Sequence, residues 1–492
     1  MNSYLYGAAV QGIQSFIFQT NELADIVGAS ELVQDVCTKM FKELVGNSDE
    51  IIVQAAGNIK CIFHNEDACR KAVREFPKKV MEAAPGITVS QAVVEYSGNF
   101  KDAVDELEKR LRAQRNKPAK SLTVGLMGIE RSRKTGLPAV ERERKDSVLD
   151  EGTKKKKEKN QTIEICQKSF GVSDLPAHET PFDIKDMTWR NDWIAIIHAD
   201  GNGLGEIVRA IGSDAEKLKT FSANLEKATQ AAAAKTFATI QEDYSINGKW
   251  GSKRIPLRPV VLSGDDMTII CRGDIAFDYA KEFLKNFEAE TKNIATDKDG
   301  NAYSLTACAG IAYIKSSYPF YYGYQLAEAL CTRAKKDAKL DRMKEANGGN
   351  APSCLMFHKV QSSFVEDYDE IVKKELTAND EHRFDFGPYY LTKQNERWTI
   401  ERLEKNVKTL AGMGDSKEGN AVKSALRKWM TAMHDDHNAA DQLKERAKSI
   451  IQGQNLRDIF NDATTFTNSK SPAYDILSLT SVTYQDTKGD KK

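Results

Sequence analysis

The chain has 492 residues, and its 71 lysines and arginines are balanced by 71 aspartates and glutamates, for a formal net charge of zero. That length exceeds one hydrophobic core and points to two to four domains, while the neutral balance gives no electrostatic case for wrapping long nucleic acid unaided. No apolar run reaches membrane-spanning length, the N-terminus lacks the regions of a secretory signal, and eight scattered cysteines without a CxxC pair suit buried, reduced thiols. The expectation is a soluble, cytoplasmic protein with no membrane partner.

In chain order, Tyr4 to Val10 is a short apolar strand, followed by Gln11-Gly12-Ile13-Gln14-Ser15-Phe16. A helix follows, with Leu32, Val33, Val36, Met40 and Leu44 on one face. Residues 51–63 read as a hairpin, and a charged helix leads to a strand over 87–96. A helix carrying Phe100, Ala103, Val104, Leu107 and Leu111 closes this first unit. From about 126 to 185 periodicity is lost, and the run Lys154-Lys155-Lys156-Lys157 reads as part of a solvated linker rather than a phosphate or RNA contact.

The second unit, 193–340, repeats the order of the first. Trp193-Ile194-Ala195-Ile196-Ile197-His198-Ala199-Asp200 is a buried strand that delivers a carboxylate at its exit. It runs directly into Gly201-Asn202-Gly203-Leu204-Gly205, where glycines let a phosphate approach the backbone at a helix start. Val260 to Ile270 reads as a hairpin with Ser263-Gly264-Asp265-Asp266 at its turn. A helix (Phe277 to Phe287), a strand (Leu305 to Ile314) and a helix (Leu326 to Lys339) complete the unit. Each unit is strand-helix-strand-strand-helix-strand, the ferredoxin-like plan, with a further helix. Asp200, Asp265 and Asp266 converging on one sheet edge suit two hard divalent cations, Mg2+ or Mn2+, able to bridge nucleotide phosphates. This is the build of a nucleotidyltransferase or nucleotide cyclase of the palm type. His198 shares the strand parity of Asp200 and reads as a core histidine, with a supporting place behind the metal as the alternative.

Laying one unit on the other places Gly12 on Gly203 and Ala9 on Asp200. Ala55-Ala56-Gly57-Asn58 falls on Ser263-Gly264-Asp265-Asp266, and Gln114 falls on Lys335. The first copy lacks each candidate metal carboxylate and the lysine. After about 360 the chain turns helical and charged, with Trp398, Ile400, Leu403, Val407 and Leu410 at helical spacing and a second such pattern over 422–433. His434-Asp435-Asp436-His437 reads as a polar helix face, and the last dozen residues as a frayed end.

Together, several motifs resemble the large, polymerase-like subunit of type III CRISPR effector complexes. They are Gly12-Ile13-Gln14-Ser15-Phe16-Ile17-Phe18, Gly28-Ala29-Ser30, Thr135-Gly136-Leu137-Pro138-Ala139, Asp200 to Gly205, Ser263 to Asp266, Pro319 and Ala334-Lys335. The resemblance covers residues 4–345 well and the C-terminus loosely. It implies an α+β chain of two tandem ferredoxin-like palm domains, the first degenerate and the second active and related to GGDEF-type cyclases, with a C-terminal helical bundle. The expected divisions are 1–125 degenerate palm, 126–185 linker in the place of a zinc ribbon, 186–350 catalytic palm and 351–492 helical domain.

The resemblance further implies ATP as substrate, joined into a cyclic oligonucleotide that activates a downstream effector, within a complex of guide-RNA-bound subunits. Asp200, Asp265 and Asp266 would be the catalytic metal ligands. Gly201, Asn202, Gly203, Ser263, Gly264 and Lys335, with Gln14 and Ser30 from the first palm, would hold nucleotides. For Ser30 a helix N-cap is the competing reading, and for Lys335 an exposed helix lysine. Three departures are expected: no N-terminal HD nuclease domain, no cysteine-ligated zinc beside Cys166, and Ser263 in place of the first glycine of a Gly-Gly-Asp-Asp turn. A stand-alone defence cyclase and a non-catalytic scaffolding subunit of a CRISPR-like complex are the alternative functions.

Overall fold

In the computed structural model the described residues are 3–46, 49–55, 57–96, 98–117, 127–144, 147–188, 192–247, 250, 254–297, 299–361, 367–379 and 381–483. Ala56 and the 125/126 division lie outside them, as do 484–492 of the expected frayed end; 481–483 are helical.

β1 (Ser3–Gln11) is buried without a break from Leu5 to Val10, as a central strand with two packed faces is. The short helix α1 (Ile13–Ile17) and α2 (Leu23–Asp35) follow, then β2 (Glu50–Ala55), β3 (Asn58–Phe63), α3 (Glu66–Ala83), β4 (Thr88–Tyr96) and α4 (Phe100–Arg115). The sheet order is β2-β3-β1-β4, with β1 antiparallel to both neighbours, which is the ferredoxin-like topology expected. Tyr6 and Ala8 pack among residues of α2 and α3, and Leu5 among those of α4. α2 runs on into a π-helical turn, Val36–Met40.

The segment read as an irregular linker is largely ordered. It forms a hairpin of β5 (Ala139–Arg144) and β6 (Ser147–Asp150), then α5 (Glu151–Lys159) and α6 (Glu164–Phe170). The lysine run lies on α5, where Lys154, Lys155 and Lys157 pair with Glu141, Glu158 and Glu143 at the surface. Lys156 is fully buried: its Nζ donates to Phe16 O at 2.6 Å and Gln19 Oε1 at 2.9 Å, above the Phe16 ring. Burial pulls its pKa down to about 8. α5 lies so close to α2 that a Cβ on Gly28 would meet Lys156 O at 1.8 Å, which explains a glycine in the middle of that helix. The solvated-linker reading therefore fails at Lys156, because one face of a lysine-rich helix is packed against the first palm.

The second unit comprises β7 (Trp193–Asn202), α7 (Leu204–Ile211), α8 (Ala215–Ile246), β8 (Leu257–Ser263), β9 (Asp266–Arg272) and α9 (Gly273–Glu290). After a small hairpin of β10 (Ala295–Thr296) and β11 (Ala302–Tyr303) come β12 (Thr306–Lys315), α10 (Phe320–Ala338) and α11 (Asp341–Ala346). Strands β8-β9-β7-β12 reproduce the order of the first sheet. The sheet then continues past residue 350 into β13 (Cys354–Lys359), parallel to β12, and β16 (Tyr389–Tyr390). Between these last two lie α12 (Tyr368–Glu375), β14 (Thr377–Ala378) and β15 (His382–Arg383).

Helices α13 (Ile400–Gly412), α14 (Lys417–Asp435), α15 (His437–Ile450), α16 (Gln454–Thr464) and α17 (Ala473–Thr483) form the helical C-terminal region. Their apolar faces join α8, α9 and the Ala195, Ile197 and Ala199 face of β7 in one core. Ile194 and Ile196, on the other face, pack into a core shared with the first palm. The His434 to His437 cluster sits at a junction rather than on one helix. α14 ends at Asp435, and Asp436 caps α15 by accepting from Asn438 N at 2.8 Å. All eight cysteines are buried and free of disulfides. Among the described residues no helix is long and apolar enough to cross a membrane.

Candidate metal and nucleotide site

The site begins with strand register. Asp200 lies opposite Asp266 in the β7/β9 ladder, and His198 lies opposite Thr268 one pleat earlier, so all four side chains leave the same face. β8 and β9 join through Gly264 and Asp265. Gly264 has φ 62° at the first central position, where a type II′ hairpin needs glycine. Ser263 ends β8 without a positive φ, so serine in place of glycine there is no obstacle to the turn. Asp265 folds back over the strand: a Cβ on Gly201 would meet Asp265 Cβ at 2.8 Å and Oδ2 at 2.9 Å. Gly201 is thus the vacancy that admits this carboxylate.

Burial, reinforced by Asp200, pushes the Asp265 carboxyl up to about 6. Burial with Asp265 and Asp200 raises Asp266 well above the usual carboxylate range. Lys335, from α10, forms an ion pair with Asp200 and donates to Gly201 O at 2.8 Å. Burial alone would lower its pKa, but the carboxylates outweigh it and hold the ammonium charged. One lysine against three crowded carboxylates leaves a site short of positive charge. That oxygen-rich donor set fits a divalent cation. Among the described residues, the His/Cys/Asp/Glu group whose ligand atoms lie within 4.8 Å of one another is His198, Asp200 and Asp266. The expected three aspartates do not form that group. Asp265 approaches Asp200 from the turn, whereas His198 and Asp266 flank it within the sheet.

Gly203 takes φ 87° and caps α7, so the turn after Asp200 opens into a helix start as expected. The role expected of Asn202 is one of its main chain. Its side chain is buried, with Nδ2 donating to Thr306 Oγ1 at 3.1 Å and to Cys308 Sγ at 3.2 Å, so only its backbone faces a ligand position.

The face carrying His198, Thr268 and Asp266 opens on a cavity of about 340 Å³ between the palms, with Gln14, Ser30 and Tyr324 also in its wall. Ser30 lies in the middle of α2, which removes the N-cap reading, and its hydroxyl donates to Val260 O on β8 of the second palm. Gln14 Nε2 donates to Tyr324 OH at 2.6 Å. Both first-palm residues therefore touch the second palm. The π-helical turn reaches the same cavity through Cys37 and Thr38.

Sequence reasoning missed Thr268 and Tyr324; His198, read as a core histidine, is buried. Burial lowers the His198 pKa to about 4, which leaves its ring neutral. Nδ1 shares a 3.0 Å hydrogen bond with Thr268 Oγ1, and the ring meets Tyr324 edge-on at 5.6 Å. The signal was present as spacing: Thr268 is two residues beyond Asp266, and Tyr324, Glu328 and Lys335 share one stripe of α10.

Residues 193–344 match the family model described as Cas10/Cmr2, second palm domain. No curated protein matches the chain. Among solved structures, the Csm1-Csm4 cassette in complex with cA4 is similar at a TM-score of 0.59 and 14% identity, over 98% of this chain and 69% of that chain. The cassette in complex with AMPPNP is similar at 0.58 and 15%, with the same two coverages. The Csm1-Csm4 subcomplex in the type III-A CRISPR-Csm interference complex is similar at 0.58 and 14%, again over 98% and 69%. At these identities the likeness is one of fold. Residues 193–344 are thus similar to the Cas10/Cmr2 second palm domain, and the chain as a whole shares the fold of the chains in the Csm1-Csm4 structures.

Proposed function

We propose that the second palm joins ATP into a cyclic oligoadenylate messenger of antiviral defence, transferring an α-phosphate to a ribose hydroxyl with release of pyrophosphate. The observation that carries this reading is Asp266 in the wall of an inter-palm cavity, with Asp200 opposite it in the strand ladder. The cavity volume falls in the range of about 300–1,000 Å³ usual for small-molecule sites. The solved relatives support the substrate class, since similar chains occur in complex with AMPPNP, with pppApA and with cA4.

Divalent cations held by Asp200, Asp265 and Asp266, Mg2+ or Mn2+, would activate the attacking hydroxyl and stabilise charge on the phosphates. Lys335 gives that charge a fixed counter-cation. The backbone N–H groups at the α7 start, from Gly203 to Gly205, and the Gly264 turn provide close approach without side-chain bulk. Gln14 and Ser30 orient the acceptor nucleotide from the first palm. The low-dielectric floor around Tyr324 and His198 excludes water from the reacting groups.

In this reading the chain works in the cytoplasm as a subunit of an RNA-guided complex, beside a partner of the kind named Csm4 in the similar structures. The test is incubation of the protein, alone and assembled with its partner subunits and target RNA, with each NTP and Mg2+ or Mn2+, followed by mass spectrometry. Cyclic adenylates are expected from ATP. Assembled, metal-loaded protein that yields none overturns the reading.

A further inference from the structure

β7 sets His198 two residues before Asp200, and the β9 register sets Thr268 and Asp266 directly opposite them. A ring nitrogen of His198 and one carboxylate oxygen from each of Asp200 and Asp266 consequently lie within 4.8 Å of one another. A single ion with ligand distances of about 2.0–2.3 Å reaches three donors so spaced.

The ring is not a loose neighbour. His198 is 8% exposed, and Thr268 Oγ1 holds Nδ1 at 3.0 Å, the one hydrogen bond found for the ring among the described residues. Tyr324 packs against it edge-on. Metal-bound imidazoles are held in this way, one nitrogen oriented by a hydrogen bond while the other faces the ion. A histidine placed only to fill the core would have no reason to face two carboxylates from a hydrogen-bonded position. An apolar side chain there would spare the desolvation of its second nitrogen.

We propose that His198 is a direct ligand of the cation bound by Asp200 and Asp266, completing a one-imidazole, two-carboxylate site that favours first-row transition ions over Mg2+. The chemical reason is that Mg2+ prefers an all-oxygen shell and keeps its waters, while imidazole binds first-row transition ions well. Asp265, outside the group, is left to a second ion or to the substrate side. This inference rests on the reading of the second palm as a carboxylate metal centre and adds a nitrogen donor to it.

The test uses the full chain with Mn2+ alone, without nucleotide, read by pulsed electron paramagnetic resonance. Directly coordinated imidazole is expected to give a 14N coupling on bound Mn2+, and Asp265→Asn should retain it. His198→Gln should abolish the coupling and lower the Mn2+ affinity, relative to Mg2+, by about 10-fold or more. Bound Mn2+ without 14N coupling in the unaltered protein overturns the inference and leaves the carboxylate centre standing. Failure of the unaltered protein to bind Mn2+ at all overturns both. Because the decisive spectrum comes from the unaltered chain, a misfolded variant cannot mask the outcome.

Discussion

The two palms have the same ladder with opposite contents. In the first, Ala9 pairs with Asn58; in the second, Asp200 pairs with Asp266 at the corresponding rung. Gly12 and Gly203, with φ 74° and 87°, cap the helix that follows each central strand. The turns, however, trade bulk. In the second palm Gly201 on the strand makes room for Asp265 at the turn. In the first, Val10 stands on the strand and the glycine has moved to the turn: a Cβ on Gly57 would meet Ile13 Cδ1 at 2.8 Å and Val10 Cβ at 3.5 Å. The His198 position is also reversed. Its counterpart, Gly7, admits Leu107 of α4, with Cδ2 only 2.8 Å from where a Cβ would stand. Sheet order and helix placement survive all of these exchanges. The fold is therefore carried by the apolar faces around these positions and does not depend on the carboxylates.

The comparison is broken most severely by removing what only the second palm has. Replacing Asp265 and Asp266 together with Ala should lower product formation by roughly 10³-fold or more, since it removes principal electrostatic stabilisers. Circular dichroism should be unchanged and the metal-free melting temperature should not fall, because the lost groups repel one another. Full activity in the double variant would remove this centre from catalysis.

The converse experiment arms the first palm. Ala9→Asp with Asn58→Asp should create no second activity in a background where Asp265 and Asp266 are Ala. Val10 and Gly57 keep the turn carboxylate out, and Gln114 stands where Lys335 does. Ala9 is 3% exposed, so the introduced carboxylate is buried without a lysine and should cost about 3 kcal/mol of stability. Thermal denaturation measures that cost, and restored activity would show that the carboxylates alone make a palm active.

Ser30 tests whether the silent palm contributes to the site. Ser30→Leu places bulk where the hydroxyl now meets Val260 O, and overpacking there should cost about 1–3 kcal/mol. Joining of two nucleotides should fall well below binding of one, measured by product yield against single-nucleotide affinity. Unchanged yield would separate the first palm from the reaction.

The smallest effect is on pH dependence. Burial raises Asp265 to about 6 and Asp266 well above the usual carboxylate range, so from the unfolded value of about 4 up through these folded values the native state binds more protons. Metal-free stability should therefore decrease as pH rises through this window and then level off. A bound divalent cation should remove the decrease, and its affinity should climb over the same range as protons leave. Denaturant midpoints at pH 4.5 and 7.5, with and without cation, check the sign (both pH values being about 1.5 or less from the folded value). No such slope should follow from the Ala9–Asn58 rung.

Much of this was legible in the sequence because the signals are local. Short continuous apolar runs marked β1, β7 and β12, helical stripes marked α4, α10, α13 and α14, and glycines beside Asp200 and Asp265 marked the turns. Overlaying the two units put Lys335 on the right helix before its ion pair with Asp200 was known. Other features were illegible for a definite reason. Strand parity placed His198 beside Asp200 but could not distinguish a core histidine from a ligand. That distinction depends on which residues of β9 lie opposite, some 70 positions away. The lysine run looked solvated because composition cannot say that Lys156 alone would find Phe16 and Gln19. A helical reading of the C-terminal region also missed β13 and β16, short strands that extend the sheet edge, β13 by pairing with β12 and β16 by pairing with β13.

The sequence by itself determined the two repeated units, the order of their elements and the carboxylates that only one of them carries, because dihedral preference, turn chemistry and hydrophobic period are properties of neighbouring residues. Only the tertiary structure decided that His198 rather than Asp265 completes the metal-spaced group, that Ser30 and Gln14 meet Val260 O and Tyr324 OH of the other palm, and that a cavity lies between the two. Those are distances between segments far apart in the chain. They are set by strand register and by the packing of one folded face on another, and neither is encoded in any single stretch of residues.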